Sequence, residues 1–144
     1  MNVYEKKKVV YTAYSKHYYY AKMLISAFVL EKERIPLNPF ANWEYFMDDM
    51  VDRDKIVRAN NNLIYLSEEV WVFGPIADGV FEEIRLANRE KKTVKYFSLG
   101  KKISDIHILT IDKIEFEDEL LHKVAYDEIM NEIKLNKIRL ANVD

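Results

Sequence analysis

The sequence has no cysteine and only three glycines in 144 residues. The absence of cysteine excludes disulfides, thiolate catalysis and sulfur-ligated metals. With glycine confined to Gly74, Gly79 and Gly100, the chain has neither a Walker A loop nor a complete glycine-rich dinucleotide fingerprint. The histidines lie far apart without the spacing of metal ligands. We therefore predict no metal and no cofactor.

Excess charge of one sign and long apolar runs are also lacking. Lysine and arginine number 22 against 24 aspartates and glutamates, and a net charge of −2 gives no general reason to bind nucleic acid. No run of about 20 apolar residues is present to span a membrane, and the charged N-terminus has no signal-peptide core. We expect a cytoplasmic protein that binds neither nucleic acid nor membranes.

The residues that are present have the balance of a globular protein. Hydrophobic residues make up 49% and charged residues 32% of the chain, which argues against disorder. The length suits one folded unit with its own core. We predict a single domain over residues 1–144.

Short apolar segments alternate along the chain with amphipathic ones. Strands are predicted at Lys8–Ala13, Ile35–Phe40, Val70–Phe73, Thr93–Leu99 and Ile106–Ile111. Helices are predicted at Tyr18–Arg34, Asp52–Leu66, Gly79–Glu90 and Phe116–Ile138, with a loop and a helical turn over Asn42–Met50. This alternation predicts a three-layer α/β fold, Rossmann-like or flavodoxin-like, with a mostly parallel five-stranded sheet and flanking helices. Ligands of such sheets bind beyond the carboxyl ends of the strands.

The turn after the third predicted strand contains the most informative acidic residues. Asp78 is placed to cap the next helix. At about 100° per residue, Glu83 flanks the apolar stripe of that helix, whereas Glu82 points away into water. Backbone N–H groups and the helix dipole favour an ionised carboxylate near a helix start, which would leave Glu83 available as a nucleophile or base. Acidic residues are, however, also common in first turns for capping alone.

A longer segment around these residues resembles a known family. Val70–Phe97, reading VWVFGPIADGVFEEIRLANREKKTVKYF, is similar to the core of the nucleoside 2-deoxyribosyltransferase-like superfamily, in which a strand leads to Asp-Gly and a helix with a glutamate four residues before an alanine. Glu83 precedes Ala87 by that spacing. Tyr11–Ser15 resembles the family's first strand and loop, and Ile35–Phe40 its second strand and proline turn. The resemblance extends over about residues 9–97 and implies one such domain, generally oligomeric, with sites completed by a neighbour.

The resemblance implies roles for particular residues. Glu83 would attack C1′ of a deoxyribosyl group, and Asp78 would be the second catalytic carboxylate, in contact with the sugar or base. Tyr14 and Ser15 would lie on the first loop against the ligand. Gly74 and Gly79 would contact the substrate from the turn before the helix. Of the aromatic group Trp43, Tyr45 and Phe46, Trp43 is the candidate to stack on the base, although packing in the core or against another subunit is an alternative.

One departure concerns an aspartate that the family carries before the third strand. It falls at about Asn61, within the triplet Asn60–Asn62, and asparagine is neither an acid nor a base at neutral pH. Either Asn61 handles the ligand differently, or another group such as Asp54 takes over, or activity has been lost. Arg53, Arg58 and Lys16 are candidate phosphate contacts.

Three functions remain open from the sequence. The first is N-glycosidic bond cleavage or transfer on a deoxynucleoside or deoxynucleotide through a glutamate nucleophile. The second is a non-catalytic protein that senses or sequesters a nucleotide or a nucleotide-derived signal. The third is a structural, oligomer-forming module in which Glu83 and Asp78 only cap a helix. The first two predict a small nucleoside or nucleotide as partner.

Overall fold

A parallel sheet forms the centre of the computed structural model, which describes residues 1–44 and 46–141. Its four strands have the spatial order β2-β1-β3-β4, and every neighbouring pair is parallel. The strands are β1 (Val9–Tyr14), β2 (Ile35–Leu37), β3 (Glu69–Phe73) and β4 (Thr93–Phe97). The predicted α/β fold of the Rossmann-like or flavodoxin-like kind is confirmed, with four strands in place of five.

Helices cover both faces of this sheet. They are α1 (Lys22–Glu31), α2 (Pro39–Trp43), α3 (Arg53–Leu66), α4 (Asp78–Arg89), α5 (Asp118–Lys123) and α6 (Tyr126–Ala141). Short 3-10 helices lie at Lys16–Ala21, Met47–Asp49, Ile103–Asp105 and Ile111–Lys113. No helix within the described ranges is both long and apolar enough to cross a membrane.

The crossover connections leave β1 and β3 toward opposite edges of the sheet: β1 connects to β2 at one edge, and β3 connects to β4 at the other. Helix α1 packs on one face and leads to the edge strand β2, whereas α3, α4 and α6 pack on the other face. Because side chains alternate along a strand, Val10 and Tyr14 of β1 face α1, and Tyr11 and Ala13 face α3 and α4. The carboxyl ends of β1 and β3 therefore form the switch point at which ligands of open α/β sheets bind.

The core on the α1 side is built largely from aromatic rings. Phe28 of α1 makes edge-on contacts with Trp71, Phe73 and Phe97, at ring-centroid distances of 6.1, 5.9 and 5.2 Å. Phe73 and Phe97 stack on neighbouring strands at 5.3 Å. Burial and ring–ring contacts of this kind fix α1 on the sheet.

The prediction of a fifth strand at Ile106–Ile111 is wrong. This segment returns beside β4 through one antiparallel bridge, Phe97 to Ile108, and the Leu109 N–H donates to the Tyr96 carbonyl at 2.7 Å. Ile106 is buried while Ile108 is 66% exposed. The segment lies between two 3-10 turns, which leave it too short to continue the ladder.

Two predicted helices differ from those observed. The first begins as the 3-10 helix Lys16–Ala21 with a non-helical Tyr18, and its α-helical part ends at Glu31. The predicted helix Phe116–Ile138 is two helices, because Val124 is extended, with φ −132° and ψ 137°. That break turns α5 toward the carboxyl edge of the sheet.

Both edges of the sheet are closed to further strands. Strand β2 has three residues, and Pro36 at its centre has no N–H to donate. At the other edge, the Asn136 side chain of α6 accepts from the Val94 N–H at 3.1 Å and donates to the Lys92 carbonyl at 3.0 Å. The outward N–H of Val94 in β4 is thus satisfied by a side chain.

Candidate active site at the carboxyl edge of the sheet

A cavity of about 560 Å³ opens at the carboxyl ends of β1, β2 and β3. This volume is within the range of roughly 300–1,000 Å³ typical of ligand pockets. Its walls are the loop after β1, helix α2, one face of α3, the first turns of α4, and α5. The cavity therefore occupies the switch point of the sheet.

Glu83 reaches this cavity from α4. It is half-buried, whereas Glu82 is exposed and lies 3.5 Å from Arg85. This is the inward position that the helical pitch predicts for Glu83. The hydroxyl of Tyr11, which is fully buried in β1 on the α4 side of the sheet, donates a hydrogen bond to Oε2 of Glu83.

Burial raises the pKa of Glu83 to about 7, and the hydrogen bond from Tyr11 opposes that rise. The expectation that the helix start would simply keep this carboxylate ionised is therefore wrong. The free N–H groups and the helix dipole act at the first turn of α4, and Glu83 lies beyond that turn. The loss of hydration therefore dominates the pKa of Glu83. Tyr11 remains protonated as the donor, because burial and then the Glu83 charge hold its pKa well above the usual value.

Asp78 lies at the entrance to α4. Ala77 occupies the N-cap position and Asp78 is the first helical residue, so the predicted cap is displaced by one residue. The carboxylate accepts from the Gly79 N–H at 2.9 Å and forms an ion pair with Lys123 of α5. The hydrogen bond from Lys123 is the main cause that lowers the pKa of Asp78. Asp78 thus lines the cavity as an anion.

The end of β1 presents Tyr14 and Ser15 to the same cavity. The Tyr14 hydroxyl donates to Asn38 Oδ1 at 2.7 Å, and burial raises the Tyr14 pKa well above its usual value. Ser15 Oγ donates to Glu117 Oε1 at 2.6 Å. Both hydroxyls are therefore fixed by protein acceptors.

The second wall comes from α2 and α3. Trp43 lines the cavity, and its indole N–H donates to Asn60 Oδ1 at 2.7 Å. Phe46 is 68% exposed and does not line it, and Tyr45 lies outside the described residues. Asn60, not Asn61, faces the cavity.

The helical period of α3 explains this difference. Arg53, Ile56, Val57 and Asn60 line the cavity, at the three- and four-residue spacing of one helix face. Asn61 is turned about 100° from that face.

Gly79 lines the cavity, and Gly74 does not. Gly74 has φ +74°, and a Cβ there would lie 3.0 Å from Leu99 Cδ1. Glycine is needed at this position to turn the backbone out of β3.

Most predicted site residues meet at this one cavity: Glu83, Asp78, Tyr14, Ser15, Gly79 and Trp43. Asn61 and Gly74 do not line it. Of the candidate phosphate contacts, Lys16 and Arg53 line the cavity, and Arg58 does not. Among the described residues, no three histidines or acids gather in a way that could hold a metal ion.

Sequence reasoning missed several residues at this site. Tyr11 had a usable signal, since a tyrosine hydroxyl within a buried strand needs a hydrogen-bond partner. Glu117 and Lys123 had none, because they were placed inside one long helix. Asn60 could have been found from the helical period of α3, because it shares a face with Arg53, Ile56 and Val57.

Comparisons with known proteins point to the same part of the chain. The model of one family, described as "Domain of unknown function (DUF7768)", matches residues 10–97, from β1 to β4. Among curated proteins there is no significant match. A solved structure described as a 2-deoxyribosyltransferase from the psychrotolerant bacterium Bacillus psychrosaccharolyticus matches with a TM-score of 0.52 and 14% identity, covering 84% of this chain and 95% of that chain. At this identity the likeness establishes a shared fold.

Proposed function

The chain belongs to the DUF7768 family, and we propose that it cleaves or transfers the N-glycosidic bond of a deoxynucleoside or deoxynucleotide, with Glu83 as nucleophile. The observation that carries the proposal is the Glu83 carboxylate, directed into the switch-point cavity and hydrogen-bonded by Tyr11. The fold shared with a 2-deoxyribosyltransferase supports this class of reaction.

The chemistry follows from the two carboxylate oxygens of Glu83. Tyr11 holds Oε2, which leaves Oε1 for attack on C1′ of the sugar. The new C1′–O bond forms as the C1′–N electron pair leaves with the base, so that one difficult displacement becomes two easier ones through a glycosyl ester. Water then makes the protein a hydrolase, and a second base makes it a transferase.

The pKa of Glu83 suits this role near neutral pH. A carboxyl with a pKa of about 7 is about half ionised at pH 7 and is more basic than an exposed glutamate. Asp78, an anion at the same wall, is the proposed sugar or base contact. Tyr14, Ser15, Gly79 and Trp43 complete the proposed binding surface.

A second candidate function is nucleotide binding without turnover. The amide of Asn60, at the cavity wall beside Trp43, favours it, because an amide can hydrogen-bond a base or sugar and cannot transfer a proton. The homo-oligomer implied by the superfamily resemblance stays part of the proposal, and light scattering after size-exclusion chromatography measures it.

One experiment separates these functions. The purified protein is incubated with a panel of deoxynucleosides and their 5′-monophosphates, and free base is followed by chromatography. Glu83→Gln should abolish base release, whereas the matched control Glu82→Gln, one residue away and exposed, should retain it. Base release that survives Glu83→Gln would refute the nucleophile. No release together with a nucleotide-induced rise in Tm would favour binding alone.

A further inference from the structure

The described residues around the cavity carry more negative than positive charge. Apart from Glu83, the carboxylates that line it come from the segment after α2, from α4 and from the α5 segment: Glu44, Asp48, Asp78, Glu117 and Glu119. The cations are Lys16, Arg53 and Lys123. Lys123 is bound to Asp78, which cancels one charge of each sign. The remaining carboxylates outnumber Lys16 and Arg53.

The same sign extends beyond the mouth of the cavity. An adjoining open depression of about 450 Å³ shares Glu117, Glu119 and His17 with the cavity wall. It adds Glu115 and Asp118, and no lysine or arginine lies among its described lining. A cleft lined by charges of one sign attracts ligands of the opposite sign. The surface adjoining the cavity therefore favours a cation over a phosphate.

Hydroxyl groups that could protonate a departing base are already engaged at the same wall. The Tyr11 hydroxyl donates to Glu83, Tyr14 to Asn38, and Ser15 to Glu117. Thr12 Oγ1 is 3.3 Å from the Leu37 carbonyl as donor. These hydroxyls are already committed, and the Asp78 carboxylate is held by Lys123 as an anion. His17 is exposed at the rim between the two depressions.

Aromatic rings supply the other half of a cation site. Phe40 and Trp43 line the cavity, and Phe40 packs against Tyr14 with ring centroids 5.1 Å apart. Aromatic faces attract organic cations and also stack on planar bases. A flat, positively charged base satisfies the rings and the carboxylates together.

We infer that the substrate is an N-glycoside without a 5′-phosphate whose base carries a positive charge, of the N-alkylpurine or N-glycosyl-pyridinium class. This inference rests on the proposed function. Attack by Glu83 forms the C1′–O bond, and the electron pair of the C1′–N bond passes to the ring nitrogen and cancels its charge. The base then leaves neutral without taking up a proton. Water adds to C1′, one proton goes to solvent, and the ester electron pair returns to the carboxylate.

Binding is tested on the Glu83→Gln protein, which should not turn over. Calorimetric titrations compare N7-methyl-2′-deoxyguanosine with 2′-deoxyguanosine and its 5′-monophosphate. We expect the cation to bind at least about tenfold more tightly than the neutral nucleoside, and the monophosphate to bind most weakly. The advantage of the cation should shrink as NaCl rises from about 0.05 to about 0.5 M, because salt screens exposed charges.

Charge variants test the cause of the preference. Asp48→Asn combined with Glu119→Gln should remove most of the preference for the cation. Glu31→Gln, an exposed acid at the end of α1, is the matched control and should leave it unchanged. A preference that survives the double substitution would overturn the electrostatic argument.

Turnover separates this inference from the proposed function. Base release by the native protein is expressed as acceleration over the uncatalysed rate, since cationic nucleosides are intrinsically labile. Greater acceleration for the cation than for the neutral nucleoside supports the inference. Equal acceleration of the neutral nucleoside, or tighter binding of the monophosphate, overturns the inference and leaves the glycosidase proposal standing. Preferential binding of the cation with no release from any nucleoside rejects the glycosidase and keeps the charge selectivity.

Discussion

Replacing Glu83 with glutamine should change the stability of the protein in a pH-dependent way. The pKa of Glu83 is raised from an ordinary 4.5 to about 7 by burial, so the folded protein holds this proton more tightly than the unfolded chain does. Below pH 4.5 Glu83 is protonated in both states, and its full contribution to the free energy of unfolding is present. As pH rises toward 7 and beyond, the unfolded chain ionises first, and the stability that this carboxyl contributes is lost.

The magnitude follows from the two pKa values. A tenfold change in acid dissociation corresponds to about 1.4 kcal/mol, so the interval from 4.5 to about 7 gives about 3 kcal/mol as an upper limit. Water in the cavity lowers it, because Glu83 is only half-buried. Glutamine keeps the shape and an oxygen for the Tyr11 hydroxyl but cannot ionise. Glu83→Gln should therefore be more stable than the native protein by about 1–3 kcal/mol at pH 8 and nearly equal to it at pH 4.5.

Urea unfolding at a series of pH values measures this difference. The comparison isolates Glu83, because all other titrating groups are common to both proteins. Glu82→Gln is the control and should show no such trend, since Glu82 is exposed. A difference in the free energy of unfolding that is constant from pH 4.5 to 8 would refute the burial argument for Glu83.

Three further predictions concern the core and the cavity. Tyr11→Phe should raise the pKa of Glu83 further, because the carboxylate loses a hydrogen-bond donor worth about 1.5–3 kcal/mol. The acidic limb of the pH–rate profile for base release should then move to higher pH. A limb that does not move would contradict the contact between Tyr11 and Glu83. Phe28→Ala should lower the free energy of unfolding by about 3–5 kcal/mol, whereas Met23→Ala, 79% exposed on the same helix, should change it by less than about 0.5 kcal/mol. Ligand binding should alter tryptophan fluorescence through Trp43, and a signal that persists in Trp43→Phe would assign it to the buried Trp71 instead.

The parts of the fold that follow from local periodicity were predictable from the sequence. The inward orientation of Glu83 could be predicted from the helical pitch, because the apolar stripe of α4 lies within one helix. The parallel order of the strands followed from alternation with helices. The fifth strand failed because an apolar β-branched segment becomes a strand only with a partner along its length, and Ile106–Ile111 meets β4 at one bridge. That partner is not encoded in the segment itself.

The candidate site was predictable only in part, for a related reason. Tyr11 and Glu83 are 72 residues apart in sequence, so their contact depends on how β1 and α4 pack. No proline or glycine lies near Val124 to predict the break in the helix there. The contact of α5 with the start of α4 through the ion pair of Lys123 with Asp78 accompanies that break. Asn61 was predicted to contact the ligand and Asn60 lines the cavity instead. The two residues are neighbours in sequence but point about 100° apart around α3.

The amide of Asn136 has a consequence for how much of the C-terminal region the protein can lose. Proteolysis or truncation before Asn136 would remove the side-chain acceptor of the Val94 N–H on the outer edge of β4. An unpaired strand edge recruits strands from other molecules. Shortened forms of the chain should therefore aggregate through β4, even though the catalytic candidates lie at the opposite end of the strands.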